Sequence, residues 1–142
     1  MSPLLTDGRI GPITQTDIVR FAGAGGDFNP LHHDPESARR AGFDAPIAMG
    51  QFTIALLSAW LTDQIGVEHM RSLDVDFKSP VRIGDTVDFT AEFADDEQDG
   101  LTRAELSATV GQTVVAAGTT TFAADALTDV RSDAAVDHTM ED

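Results

Sequence analysis

The sequence predicts an α+β fold, in which one antiparallel sheet carries its helices on a single face. Around residues 45–61, apolar residues occur on nearly every side of one predicted helix, which is typical of a buried helix. From residue 68 the hydrophobic period changes to two, as expected for half-buried antiparallel strands. Helices followed by a run of strands indicate that the two kinds of element are segregated, and a sheet with one wet face can wrap around a single apolar helix.

The first helix is predicted to begin after Thr14, which can cap it together with Asp17 three residues later. The glycines of GAGG, residues 23–26, end it. A short helix is predicted over PESARRAG because Pro35 suits a first helical turn.

The long buried helix is predicted within AMGQFTIALLSAWLTDQIG and ends at Gly66. Four strands are expected after it, separated by turns that are rich in Gly, Asp and Pro. The strand segments are RSLDVDF, GDTVDFTAEF, RAELSATV and TVVAAGTTTF.

Composition limits the function classes. The 142 residues fit one domain, which we place at residues 1–122, followed by an acidic and disordered tail at 123–142. A net charge of −15 repels phosphate backbones, so we expect no nucleic-acid partner. No segment resembles a membrane span or a signal peptide, and cysteine is absent, which together favour a cytoplasmic protein.

One segment carries an unusual set of polar residues. The stretch GGDFNPLHHDP, residues 25–35, combines Asp27, Asn29 and His32 with two further polar residues, His33 and Asp34. Asp, Asn and Pro alone can build a turn, so a purely structural role is one interpretation. A metal site is disfavoured because adjacent residues rarely converge on one ion, and His-x-x-x-His spacing is absent.

The string FAGAGGDFNPLH, together with PIAMG and DFKSPVRIGDTV further on, resembles the MaoC-like hydratase and dehydratase family. The resemblance covers roughly residues 14–122. It implies a hot-dog fold, in which a curled antiparallel sheet wraps one long helix, and this agrees with the order of elements read from the pattern.

The resemblance implies a hydro-lyase that adds water reversibly to trans-2-enoyl thioesters and gives (R)-3-hydroxyacyl thioesters. Asp27 and His32 occupy the family's catalytic positions; Asp27 is expected to act as base and water orienter, while His32 shares the water. Gly50, at the start of the long helix, is expected to offer its backbone N–H to the thioester oxygen.

Further site candidates are weaker. Asn29 is expected to hold the turn, Met49 to border the acyl site, and Arg82 to join Arg71 and Lys78 in a patch for the substrate's phosphates. Many family members have His-Gly-Met where this chain has Met49-Gly50-Gln51, which leaves acyl specificity open.

The resemblance also implies partners. We expect no metal and no cofactor beyond the CoA or acyl-carrier phosphopantetheine of the substrate, and either carrier remains possible. A homodimer is the expected assembly, with a heterodimer containing a second hot-dog subunit as the other form. The alternative functions are a non-catalytic partner subunit and a hot-dog acyl-CoA thioesterase.

Overall fold

The computed structural model describes residues 5–94 and 98–126 of the chain. Five strands in these ranges form one antiparallel sheet, β1 Gly8–Ile10, β2 Met70–Phe77, β3 Val87–Phe93, β4 Leu101–Val110 and β5 Thr113–Ala123. Their order across the sheet is β1-β3-β4-β5-β2. The four predicted strands are confirmed, whereas β1 was missed because a three-residue edge strand is too short to show a period.

Three α-helices lie before β2 in the chain, and they are α1 Gln15–Gly25, α2 Pro35–Arg40 and α3 Gly50–Ile65. The predicted start of α1 is confirmed, since Thr14 and Asp17 form both hydrogen bonds of a capping box. Gly26 ends α1 with a left-handed φ of 71°, a conformation that glycine adopts without steric cost. Short 3₁₀ turns at Pro30–His32 and Val67–His69 lead into α2 and β2, respectively.

The core lies between α3 and the sheet. Leu57 and Leu61 of α3 are fully buried, and the Trp60 ring stacks on Phe89 of β3 at 5.8 Å. The predicted inward alternation of β3 and β4 is confirmed by the burial of Val87, Phe89 and the inward side chains of β4. The α+β hot-dog architecture is therefore present.

The sequence predicted that the long helix is buried on nearly every side, and this prediction is wrong for one face. Gln51, Ala55, Ala59 and Asp63, spaced by four residues, form an exposed stripe on the single chain. The small side chains of Ala55 and Ala59 make this stripe nearly flat. A helix with apolar residues on every side is expected to be buried on every side, but within a single chain the sheet packs against only part of this helix.

The predicted boundary at residue 122 falls near the end of the sheet. β5 ends at Ala123, and the side chain of Ala126 is fully buried in the core. The rest of the predicted acidic tail, residues 127–142, lies outside the described residues. Within residues 5–94 and 98–126, no helix has both the length and the apolar character needed to span a bilayer.

Gly118 is the point of closest approach between β5 and β2. A Cβ built at Gly118 would lie 2.0 Å from the Asp74 carbonyl oxygen and 2.8 Å from the Val75 Cα. We expect Gly118→Ala to lower the free energy of unfolding by about 1–3 kcal/mol or more, because both clashing atoms are backbone. Chemical denaturation followed by circular dichroism measures this change.

Gly23→Ala is the matched control, because a Cβ at Gly23 meets nothing within 4 Å. It should raise stability by about 0.5–1 kcal/mol, since alanine replaces glycine inside a helix. Equal effects of the two substitutions would contradict the close approach of β2 and β5.

Candidate active site

A cavity of about 510 Å³ opens at the N-terminal end of α3, a size typical of small-molecule sites. Four parts of the chain meet there: the turn after α1, the segment leading into α3 with the start of that helix, the end of β2 with the segment that follows it, and β5. The lining residues are Asp27, His32, Ile47 to Gln51, Thr53, Phe77 to Val81, and Val115.

Asp27 is placed by the end of α1. Its N–H donates to the Ala22 carbonyl at 3.0 Å, just after the left-handed Gly26. One carboxylate oxygen, Oδ1, accepts from the Asn29 N–H at 3.3 Å, and the other, Oδ2, lies 3.4 Å from His32 Nε2. With 42% of its side chain exposed, Asp27 faces the cavity opening.

His32 is buried, with 8% of its surface exposed, and its ring is held at one nitrogen. Nδ1 lies 2.8 Å from the Ile47 carbonyl oxygen. A carbonyl oxygen can only accept, so Nδ1 carries the proton and the neutral ring has a free lone pair on Nε2. Nε2 faces Asp27 Oδ2 at 3.4 Å, and in the neutral tautomer both atoms can accept a hydrogen from one water.

The turn between the two residues is fixed by local hydrogen bonds. Asn29 Oδ1 accepts from the Leu31 N–H at 3.0 Å and so begins the 3₁₀ turn that carries His32. The Gln15 side-chain amide donates to the His32 carbonyl at 2.8 Å from the first turn of α1. Asn29 therefore holds the turn, as its sequence position indicated, and it is not a lining residue of the cavity.

The two residues after His32 face other neighbours. His33 is exposed. The Asp34 carboxylate caps α2 by accepting from the Glu36 N–H at 3.1 Å, and its other oxygen accepts from the Ser37 hydroxyl at 2.7 Å. The Ser37 hydroxyl, followed by the Glu36 N–H, lowers the pKa of Asp34 below its ordinary value. Among the described residues, no three His, Asp or Glu side chains converge as a metal site would require.

The start of α3 forms the opposite wall. Gly50 is the first helical residue, where a backbone N–H has no acceptor inside the helix and the helix dipole favours negative charge. Met49 is buried at 4% exposure and lines the cavity beside it. A Cβ at Gly50 would lie 2.7–2.9 Å from three atoms of the Phe77 ring, so only glycine fits while that ring stays in place.

The three predicted basic residues are not brought together at the cavity. Lys78 is a lining residue, with Nζ 4.0 Å from Asp76 Oδ2. Arg82 is exposed and outside the lining, and its backbone N–H donates to Asp85 Oδ2 at 2.8 Å. The Arg71 guanidinium donates to the carbonyls of Glu68 and Met70.

Sequence reasoning missed three side chains that build the site. Thr53 and Phe77 line the cavity, and Gln15 supports the turn from a helix 17 positions earlier. Thr53 gave no site signal because it sits inside an apolar helix. Phe77 lies in the family-like string DFKSPVRIGDTV, but its place at the end of an alternating strand assigned it no role in the site. Thr53, Phe77 and Gln15 come close to the turn of Asp27 and His32 only in the folded chain.

Comparison with known proteins places these features in a family. The MaoC like domain family matches residues 7–116. The chain is 38% identical over 86 residues to the 3-hydroxybutyryl-CoA dehydratase of Methylorubrum extorquens, covering 58% of this chain and 54% of that relative. It is also 38% identical over 78 residues to the (R)-specific enoyl-CoA hydratase of Aeromonas caviae, covering 54% of this chain and 57% of the relative.

A solved structure, the (R)-hydratase from A. caviae involved in PHA biosynthesis, matches with a TM-score of 0.73 at 25% identity. That match covers 83% of this chain and 93% of the other. The chain spans about half the length of the curated relatives it matches. With the family match over residues 7–116 and the shared fold, this chain belongs to the MaoC-like domain family.

Proposed function

We propose that this chain catalyses the reversible hydration of trans-2-enoyl thioesters to (R)-3-hydroxyacyl thioesters. The observation that carries the proposal is the pairing of Asp27 Oδ2 with His32 Nε2 at 3.4 Å, inside a cavity that also contains the start of α3. A water-activating pair and an oxyanion donor thus share one space. Relatives named as dehydratases and hydratases of such thioesters support the same reaction class.

The pair suits the proton transfers that hydration needs. Water binds between the Asp27 carboxylate and the His32 Nε2 lone pair, and it loses a proton to the pair as its oxygen bonds to C3. The C2=C3 double bond becomes single, and the proton taken up by the pair passes to C2, which returns the pair to its starting state. The hydrogen left on the oxygen becomes the product hydroxyl, so the two atoms of hydrogen from water are both accounted for.

Negative charge develops on the thioester oxygen while C3 is attacked. The Gly50 N–H at the α3 N-terminus is a fixed donor for that charge. The Phe77 ring fills the space that a side chain at position 50 would occupy, so the proposed approach of the thioester to the Gly50 N–H runs beside that ring. The methionine at position 49 does not remove this donor, since the donor is a backbone group.

The proposed substrate carries its acyl group on CoA, with no further cofactor. The net charge of −15 disfavours encounter with an acidic carrier protein. Lys78 is the cationic residue at the cavity lining and is half exposed, so it is the proposed contact for a phosphate group. An acyl-carrier phosphopantetheine is the other substrate form to be tested.

We also propose that the chain forms a homodimer with the site near the interface. β2 lies at one edge of the sheet and pairs only with β5 among the described strands. Open strand edges favour pairing with another strand. Phe77, at the end of β2, is 52% exposed although it lines the cavity, and a second copy on this edge would cover it.

Asp27→Asn and His32→Ala should each lower kcat for crotonyl-CoA hydration by about 10²–10⁴-fold, because the first removes the negative charge and basicity of the carboxylate and the second removes the Nε2 acceptor. Loss of enoyl absorbance measures the rate, and chiral analysis should give the (R)-3-hydroxy product. Release of free thiol, followed in parallel, would instead indicate a thioesterase.

Asp44→Asn and His33→Ala are the matched controls, since both residues are exposed and outside the cavity lining. They should retain the wild-type rate. Wild-type rates in folded Asp27→Asn and His32→Ala would contradict the mechanism, and an inactive wild type with both CoA and carrier-bound substrates would contradict the function.

The assembly is expected to have twice the mass of one chain at micromolar concentration, because the β2 edge is open. Light scattering coupled to size-exclusion chromatography measures this mass directly. A stable mass of one chain would contradict the dimer, and a dimer only after mixing with a different hot-dog chain would support the heteromeric form.

A further inference from the structure

Thr53 is a buried polar residue of α3 whose hydroxyl has no protein partner among the described residues. It is 4% exposed, and its hydroxyl makes no hydrogen bond within residues 5–94 and 98–126. Two other threonines have protein partners: Thr62 of α3 donates to the Ser58 carbonyl at 2.9 Å, and Thr120 donates to the Ser72 carbonyl at 2.8 Å. Thr102, 7% exposed, also has no partner for its hydroxyl among the described residues, but it lies outside the cavity.

The hydroxyl faces the cavity. Every fully buried side-chain nitrogen and oxygen of the described chain has a hydrogen-bond partner. The unpaired Thr53 oxygen therefore retains accessible surface, and the residue lines the same cavity as Asp27, His32 and Gly50.

The helix geometry brings this hydroxyl near Gly50. Residues three apart lie on one face of a helix, and helical side chains lean towards the N-terminus. Thr53 follows Gly50 by three residues in α3, and Gly50 has no side chain to intervene. The Gly50 N–H and the Thr53 O–H thus border one end of the cavity.

We propose that the Thr53 hydroxyl is a second donor to the thioester oxygen, beside the Gly50 N–H. This inference rests on the proposed hydration and adds a side-chain group to its oxyanion site. Two donors held in place before the reaction stabilise the developing charge more than one, because neither has to reorganise as the charge forms. The unpaired state of the hydroxyl in the free protein is then explained, since its acceptor arrives with the substrate.

Thr53→Val tests the role because valine keeps the shape and removes the hydroxyl, while Thr53→Ser keeps the hydroxyl. For crotonyl-CoA hydration, Thr53→Val should lower kcat by about 10²-fold with a much smaller change in KM. Thr53→Ser should recover most of the loss. A wild-type kcat in Thr53→Val, or equal losses in both variants, would overturn the proposal.

A spectroscopic measurement separates donation from packing. The carbonyl stretch of bound butyryl-CoA, labelled with ¹³C at the carbonyl, should lie at lower frequency in the wild type and Thr53→Ser than in Thr53→Val. The same frequency in all three proteins would show that Thr53 does not donate.

This measurement also keeps the two proposals distinguishable, because butyryl-CoA is saturated and cannot be hydrated. A frequency shift in a wild type that hydrates no enoyl thioester would support the donor and contradict the reaction. An active wild type with no effect of Thr53→Val on rate or frequency would contradict the donor and leave the hydration intact. Failure of the wild type to bind the butyryl group on either CoA or a carrier-protein phosphopantetheine would contradict both.

Discussion

Two hydrogen bonds at the backbone of Ile47 hold the parts of the site together. Its N–H donates to the Leu31 carbonyl at 3.1 Å, and its carbonyl accepts from His32 Nδ1 at 2.8 Å. The next residue, Ala48, donates to the Val81 carbonyl at 2.8 Å, and two residues later α3 begins. The backbone of residues 47–48 therefore joins the turn that carries His32, the segment after β2 that contains Val81, and the start of α3.

This arrangement determines the chemistry of His32 as well as its position. The Ile47 carbonyl requires a proton on Nδ1, and the neutral ring must then present the Nε2 lone pair to the cavity. Asp27 reaches the same space from the end of α1, where Gly26 reverses the chain. Asp27 and His32, five residues apart, are therefore held in place separately. The end of α1 positions Asp27, and the Ile47 carbonyl positions His32.

Local patterns in the sequence predicted much of this structure. The Thr14 capping box, the glycine stop of α1 and the alternation in β3 and β4 are short-range features, so they could be read directly. The turn with Asp27 and His32 was identified by its resemblance to a family string. In both cases the informative residues are neighbours in the chain.

The remainder depends on contacts between distant residues. The ring orientation of His32 is set by a carbonyl 15 residues away, and Phe77 reaches Gly50 only after β2 pairs with β5. Thr53 looks like one more residue of a core helix until the cavity beside it is known. The exposed stripe on α3 could not be predicted for the same reason. The hydrophobic pattern of a helix shows which residues are apolar, but it does not show which other elements pack against them.

The central claim is that Asp27 and His32 act as one unit on a single water. The most direct measurement is kcat/KM of Asp27→Asn, His32→Ala and the double variant with crotonyl-CoA. Groups that share one water should be strongly non-additive, so we predict a double variant about as slow as the slower single variant. Losses that multiply in the double variant would mean that the two residues act independently, and would contradict the account.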